Sequence, residues 1–497
     1  MTGAARGGTP GFAARCGVHD TRRAMDADAL LRRLRDDGIE QVRIAWCDLH
    51  GVLRGKTLMA SAVASALRDG VGMVSTLMLK DTSDRTAFPV FERGAGLAGF
   101  GFANNLLLLP DPASLVPLPW APGTAWLRAQ PWFADGTPVP ADPRRVLQLA
   151  LQRLAQRGLG LRCGLEVEFH VYRIVDDGLD PAAADWPGEP PTVRGIHPGY
   201  NLLADGWADL ADEPLSIVRR TALGLGLPLR SLEIELGPSQ VEAVFDACDA
   251  LTAADRMVLF RNGVRQALRR AGYHASFVCR PPFPQVMSSG WHLHQSLVDL
   301  RAPAGQGANA MCRERPAPEG GARAVLSDLG AHYLGGLLHN ALPTLAFCTT
   351  TVNGYGRFRP NAMAPMAALW GRDNRGAMLR VLGECGDADT RIENRIGEPM
   401  ANPYLYIAAQ IAAGLDGIER QLDPGPATEA PYHDATRALP TRLEEALDAL
   451  EADPRMTLAM GRELVHLWLG IKRSEARRHA AAEDSTAWQR REYFSRF

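Results

Sequence analysis

The residues best suited to chemistry lie on short alternating stretches. In Gly164-Leu165-Glu166-Val167-Glu168-Phe169-His170, a strand puts Leu165, Val167 and Phe169 on one face and Glu166, Glu168 and His170 on the other. Acids return in Leu232-Glu233-Ile234-Glu235-Leu236 and, after a turn at Gly237-Pro238, in Gln240-Val241-Glu242-Ala243-Val244-Phe245. From Ser289 to Leu297, His292, His294 and Ser296 share a face, and from Thr390 to Ile396, Arg391, Glu393 and Arg395 do. Taken singly, each stretch is also compatible with a strand whose polar side meets water. Separate strands that each direct Glu, His or Arg to one face are harder to produce by solvent exposure alone. Carboxylates brought so close repel one another, and a cation relieves them.

Carboxylates with imidazole and no thiolate suit Mg²⁺ or Mn²⁺, hard ions that prefer oxygen ligands. Two such sites would absorb the five acids Glu166, Glu168, Glu235, Glu242 and Glu393. Between Arg357 and Arg395 stand seven arginines, at 357, 359, 372, 375, 380, 391 and 395. Guanidinium captures carboxylate and phosphate in a bidentate fork, and arginines around divalent ions are the usual apparatus of phosphoryl transfer. ATP is the natural donor. There is no G-x-x-x-x-G-K-[ST] loop, so the nucleotide is expected to bind without one. Gly94 to Gly99 spells a dinucleotide fingerprint, but Pro89 and Glu92-Arg93 precede it where an apolar strand is needed, so the match is discounted.

The positioning elements follow from periodicity. Helices are predicted over Asp26 to Asp37, from the Asp142-Pro143 cap to about Arg157, and over Asp255 to Ala271, Leu329 to Leu342, Tyr404 to Ile418, Leu443 to Leu450 and Met460 to Arg477. Further strands are predicted at Val42 to Asp48, Val52 to Lys56 and Ala275 to Cys279, with a loop from Arg301 to Arg323. These divide the chain into a flexible tail (1–24), a small N-terminal domain (25–115) closed by a proline cluster, and a catalytic domain (116–497). Composition is globular, at 46% hydrophobic and 22% charged, and a net charge of −2 argues against a nucleic-acid partner. Eight scattered cysteines without a C-x-x-C pair suggest reduced thiols, and no apolar run has signal-peptide or membrane-span length. A cytoplasmic protein without membrane contact is expected.

In these same motifs the chain resembles the glutamine synthetase family. The matching elements are G-x-E-x-E-F (Gly164 to Phe169), G-P-x-Q-x-E (Gly237 to Glu242), S-G-x-H-x-H-x-S-L (Ser289 to Leu297) and N-x-Y-x-R (Asn353 to Arg357). Trp370 to Arg375, Thr390 to Arg395 and Ala401 to Leu405 continue the order. The resemblance implies an α+β fold, with an N-terminal β-grasp domain and a catalytic domain built on a curved antiparallel sheet flanked by helices. It implies one metal on Glu168, Glu235 and Glu242 and another on Glu166, His292 and Glu393. Arg357 and Arg395 would grip a glutamate-like acid. Arg375, Arg380 and Arg391 would bind ATP phosphates, Arg375 and Arg380 acting catalytically, with His294 and Ser296 near the nucleotide. It also implies self-association into rings, with a dodecamer expected, and active sites shared between neighbouring subunits.

Departures from the family pattern bear on the acceptor. Where glutamine synthetases carry a flap glutamate, six residues beyond Arg357, this chain has Met363. The stretch Gly72 to Thr76, which matches the region of a family aspartate, has no acid, and Met287 stands where the family has asparagine. Those two acids make the ammonium pocket, so their loss favours a bulkier, less polar amine. The resulting expectation is a ligase like the γ-glutamylpolyamine synthetases, which forms a γ-glutamyl phosphate and passes the acyl group to an organic amine. The alternatives are a glutamine synthetase that uses ammonium and a non-catalytic scaffold. The resemblance also places Tyr432 near a position that some relatives adenylylate.

Overall fold

In a computed structural model, residues 11–92, 98–302, 309–317, 320–360, 362–434 and 437–497 are described. The Gly94-containing fingerprint stretch and parts of the Arg301 to Arg323 loop therefore lie mostly or partly outside the described residues.

The fold is α+β, with two sheets. The first contains β1 (Gln41–Cys47), β2 (Leu53–Met59), β3 (Val71–Val74), β4 (Asn105–Pro110), β5 (Val116–Pro117) and β6 (Thr124–Trp132), in the order β2-β1-β6-β4-β3 with β5 also on β6. Only β1 and β6 run parallel. β6 continues past the expected boundary at residue 115 and is the central strand of this sheet. Its Ala125, Leu127 and Ala129 are buried, and its parallel pairing with β1 is a long-range contact that the intervening prolines conceal in the sequence.

The expected tail also differs. Phe12–Arg15 and Thr21–Asp36 are helical, Phe12 and Ala13 are buried against Leu109 and Trp132, and the Asp20 side chain caps the second helix by accepting from the Arg23 amide. Packing of one aromatic residue onto the sheet thus ties down a segment whose composition suggests a loose end.

The second sheet positions the candidate site. Its strands are β7 (Leu159–Asp176), β8 (Thr192–Gly195), β9 (Leu229–Ile234), β10 (Gln240–Asp249), β11 (Tyr273–Ser276), β12 (Trp291–Asp299), β13 (Trp370–Arg372), β14 (Leu379–Leu382) and β15 (Arg391–Gly397). The order is β13-β14-β15-β12-β7-β10-β9, with β8 and β11 paired to the far end of β7, and only β13 and β14 are parallel. One face is apolar: Leu165, Val167 and Phe169 are buried, and the Phe169 ring packs on Phe277 and on Phe260 of the helix Ala250–Arg270. That helix starts earlier than predicted, because Asp249 caps it by accepting from the Thr252 amide. The predicted helix Leu329 to Leu342 is two helices, Asp328–His339 and Ala341–Cys348, and the closing segment adds a short helix at Pro454–Met460.

Polar contacts lock the two sheets together. Asp255 receives Arg128 at 2.6 Å, Arg144 at 2.9 Å and the Tyr404 hydroxyl at 2.7 Å, so β6 and two helices of the larger unit converge on one carboxylate. Arg261 donates to the carbonyls of Pro399, Ala401 and Gly51, the last in the turn between β1 and β2.

Candidate active site

Register brings the acids together. Glu242 on β10 lies opposite Glu168 on β7, His292 on β12 opposite Glu166, and both His294 and Arg380 opposite Glu393 on β15. Five adjacent strands, β14-β15-β12-β7-β10, thus contribute to one polar face. Ligand atoms of Glu166, His292 and Glu393 lie within 4.8 Å of one another, and so do those of Glu168, Glu242 and His292.

The first of these groups is the expected set. The second differs: Glu235 sits just beyond the end of β9 and accepts from the Leu236 amide at 3.2 Å, and His292 completes the group with Glu168 and Glu242. Glu235 remains a neighbour of both acids, and its charge acts on each.

The electrostatics divide the site in two. Burial would raise Glu166, but contacts from His292 and His294 hold its carboxyl well below the ordinary range. Burial likewise works against Glu393, yet His292 and Arg395 keep it down to about 2. Burial and the Arg395 guanidinium lower His292 to about 4, leaving its imidazole neutral and free to offer a lone pair. On the other side, burial and then Glu235 push Glu168 up to about 7, while burial and then Glu168 push Glu242 up to about 10. The Glu242 Oε1 is buried without a hydrogen-bond partner among the described residues. Crowded acids, one with an orphaned oxygen, beside a neutral imidazole are a donor set that fits a hard divalent cation.

Arginines border this face. Arg357 donates to the carbonyls of Arg395 at 2.7 Å and Gly397 at 3.2 Å, and its guanidinium presses on Gly290, where a Cβ would come within 2.4 Å of Nη2. Arg395 pairs with Glu393 and donates to the Met363 carbonyl at 3.3 Å, leaving its buried Nε unpartnered. Arg380 bridges Asp373 and Glu393. Arg391 donates to His294 Nδ1 at 3.0 Å, His294 Nε2 lies 3.0 Å from Glu166, and Ser296 donates to the Thr390 carbonyl at 3.1 Å. Arg375 is exposed and lines an open cleft of about 660 Å³ with Arg372, Asp373 and Asn374. The structure therefore gathers the acids, His292, His294, Arg357, Arg380, Arg391 and Arg395, and leaves Arg375 at the mouth.

One supporting residue, Gln240, is not among the candidates read from the sequence. Gln240 donates to Glu168 at 3.0 Å and to Ser289 Oγ at 3.1 Å, and the Gly290 amide donates to the same Glu168 oxygen at 3.0 Å. Gln240 lies inside G-P-x-Q-x-E, so its signal was present in the motif. Tyr432 is half-buried; its hydroxyl donates to the Ala364 carbonyl at 3.3 Å, and its ring edge lies 3.3 Å from where a Cβ on Gly376 would stand. No periodicity marks that loop.

Comparison with known proteins agrees with this geometry. Residues 140–493 match the family model for the glutamine synthetase catalytic domain. A γ-glutamylanilide synthase from an Acinetobacter species is 38% identical over 488 residues, covering 94% of this chain and 95% of that protein. A γ-glutamylethanolamide synthetase of Streptomyces coelicolor is 32% identical over 471 residues, covering 92% and 93%. A solved structure described as a GmaS/ADP complex superposes with a TM-score of 0.74 at 29% identity, covering 93% of this chain and 98% of that one. The chain belongs to the glutamine synthetase family. It is an ATP-dependent ligase.

Proposed function

We propose that this ligase joins the side-chain carboxylate of glutamate to an organic amine, and that ammonium is not its acceptor. The observation that carries the acceptor assignment is the loop after Arg357. Its Met363 carbonyl rests on Arg395, the Met363 side chain is exposed, and no acid occurs from Arg357 through Ala368. A cationic amine needs an anionic partner to bind and to lose its proton. An acid-free loop suits an amine that arrives neutral, with an arylamine the best match because its lone pair is drawn into the ring and stays unprotonated near pH 7. The names of the relatives, one a γ-glutamylanilide synthase and one a γ-glutamylethanolamide synthetase, fit an acceptor larger than ammonium.

In the proposed chemistry, Mg²⁺ or Mn²⁺ would be held by Glu166, His292 and Glu393 and by Glu168 and Glu242, with Glu235 in support. When bound, such ions neutralise phosphate charge and orient the transferring group. Arg357 and Arg395 orient the glutamate-like acid. Arg375, Arg380 and Arg391 bind phosphate oxygens, with His294 and Ser296 beside the nucleotide. A free carboxylate is a poor acyl donor, so the acid is first converted to a γ-glutamyl phosphate. The amine nitrogen then bonds to the acyl carbon, the carbon–oxygen bond to phosphate breaks, and the nitrogen's proton leaves with the phosphate. Ring assembly, a β-grasp first sheet and a cytoplasmic location complete the reading; among the described residues no helix is long and apolar enough to cross a membrane.

The test is ADP release with glutamate, ATP and Mg²⁺ against ammonium, alkylamines, diamines and arylamines, with the amide identified by mass. An organic amine preferred over ammonium is expected. Ammonium as the best acceptor would overturn the proposal, and no ADP with any amine would favour a scaffold.

A further inference from the structure

A second cavity, of about 810 Å³, lies among the turn between β1 and β2, the last turns of the helix Ala250–Arg270, the loop after β7 and the C-terminal segment. None of the residues assigned above to metal, ATP or acid lines it. Its wall carries Arg265, Arg269, Arg270, Arg491 and Arg496, and Arg43 stands behind it, donating to Gln266 at 2.8 Å.

Arg491 is paired with Asp185 and Glu189, and the other guanidiniums of the wall have no carboxylate in ion-pair contact among the described residues. Arg265 donates to the Ser495 carbonyl at 2.8 Å, Arg269 to the Asp177 carbonyl at 3.5 Å and Arg496 to the Ser83 carbonyl at 3.0 Å. None of the three, nor Arg270, has a carboxylate partner in ion-pair contact among the described residues. Four acids also line the rim, two of them held in local turns and two paired with one arginine. Asp177 accepts from the Leu179 amide and Asp180 from the Ala182 amide, while Asp185 and Glu189 pair with Arg491. Burial, with Arg261 nearby, pushes Arg265 down to about 10, as expected of a cation without a counter-charge. Elsewhere in the protein Arg128, Arg144, Arg380, Arg395 and Arg478 are all matched to carboxylates.

We propose that this cavity binds an organic phosphate monoester. Guanidiniums from the helix and the C-terminal segment approach one space from different directions. A phosphate offers three terminal oxygens to such donors, whereas a carboxylate offers two. Val52, Leu53 and Pro181 supply apolar wall for a body attached to the phosphate. The site is separate from the ATP cleft, and β11, whose His274 lines the cavity, pairs with the strand that carries Glu166 and Glu168. Occupancy there can therefore be read in the enzyme's stability without passing through the reaction.

The experiment uses the assembled enzyme with Mg²⁺ and saturating ADP, so that the nucleotide site is filled, and ribose 5-phosphate as probe, with succinate as the carboxylate control. Calorimetry and Tm are measured for wild type, Arg269→Gln and Arg270→Gln. Wild type is expected to bind ribose 5-phosphate with a rise in Tm, succinate at least about tenfold more weakly, and Arg269→Gln to weaken binding about tenfold or more, the range for a lost charge-assisted hydrogen bond. Arg270→Gln, at an exposed helix end, leaves the fold intact and is expected to weaken binding several-fold. No binding to wild type, or an affinity unchanged from wild type in both variants, would overturn the site; succinate binding as tightly would overturn the choice of phosphate.

Discussion

Glu242 expresses a conflict between stability and function in one side chain. It faces Glu168 across two strands, and burial with that neighbour pushes its carboxyl up to about 10. In the metal-free protein the site is strained by its own charge. Glu242→Gln is therefore expected to raise the metal-free Tm, to abolish most of the stabilisation that Mg²⁺ provides, and to weaken metal binding by more than the roughly 10–100-fold typical of changes around a ligand. Thermal melts with and without EDTA, alongside ADP release, check all three. His274 provides a pH test away from the metals. Burial and Arg265 lower it to about 3 against a raising contact with the Phe494 backbone, and its Nε2 is buried without a hydrogen-bond partner among the described residues. An unfolded histidine titrates near 6.5, so as pH falls below that value the unfolded chain takes up a proton that the folded chain refuses, and stability drops by about 1.4 kcal/mol per pH unit from this group. Urea titrations at pH 7, 6 and 5 should show His274→Gln losing less stability with acid than wild type.

At the scale of elements, the loop 357–369 is gripped from two sides. Arg395 holds the Met363 carbonyl, Tyr432 holds the next carbonyl, and Met363 adopts φ +50°, a left-handed conformation that a side chain disfavours. Removing one hydrogen bond by Tyr432→Phe is expected to raise KM for the amine several-fold, in line with about 1 kcal/mol, with little change in KM for glutamate. Met363→Glu is expected to shift preference toward cationic amines by restoring an anion. Steady-state kinetics with both substrates varied distinguishes these effects. The strands themselves were legible in the sequence, because alternation at Glu166, His292 and Glu393 has a period that only a strand satisfies. Their register was not. That His292 faces Glu166 and also lies beside Glu168 and Glu242 depends on pairings between distant segments that local pattern does not encode. The contact of Tyr432 with the Ala364 carbonyl is equally hidden, although the residue itself stands out by its resemblance to a modified position.

Across the whole molecule, Asp255 joins the sheets by accepting from Arg128, Arg144 and Tyr404. Asp255→Ala leaves Arg144 partly buried without its counter-charge, while Arg128 keeps Asp111, and is expected to cost about 3 kcal/mol, read as a lower urea midpoint. The same long-range closure draws β6, beyond the boundary expected at residue 115, into the first sheet and packs Phe12 of the expected tail onto it. Both are held by contacts with strands remote in the chain. In the proposed function the acids, His292 and the arginines would activate a carboxylate, and the acid-free stretch from Arg357 through Ala368 would offer no anion to capture ammonium. The most direct test compares kcat/KM for ammonium and for a neutral arylamine, at pH 7 with saturating glutamate, ATP and Mg²⁺. The arylamine is expected to be favoured by at least about tenfold, the equivalent of 1.4 kcal/mol in transition-state binding; a preference for ammonium would contradict the assignment of the acceptor.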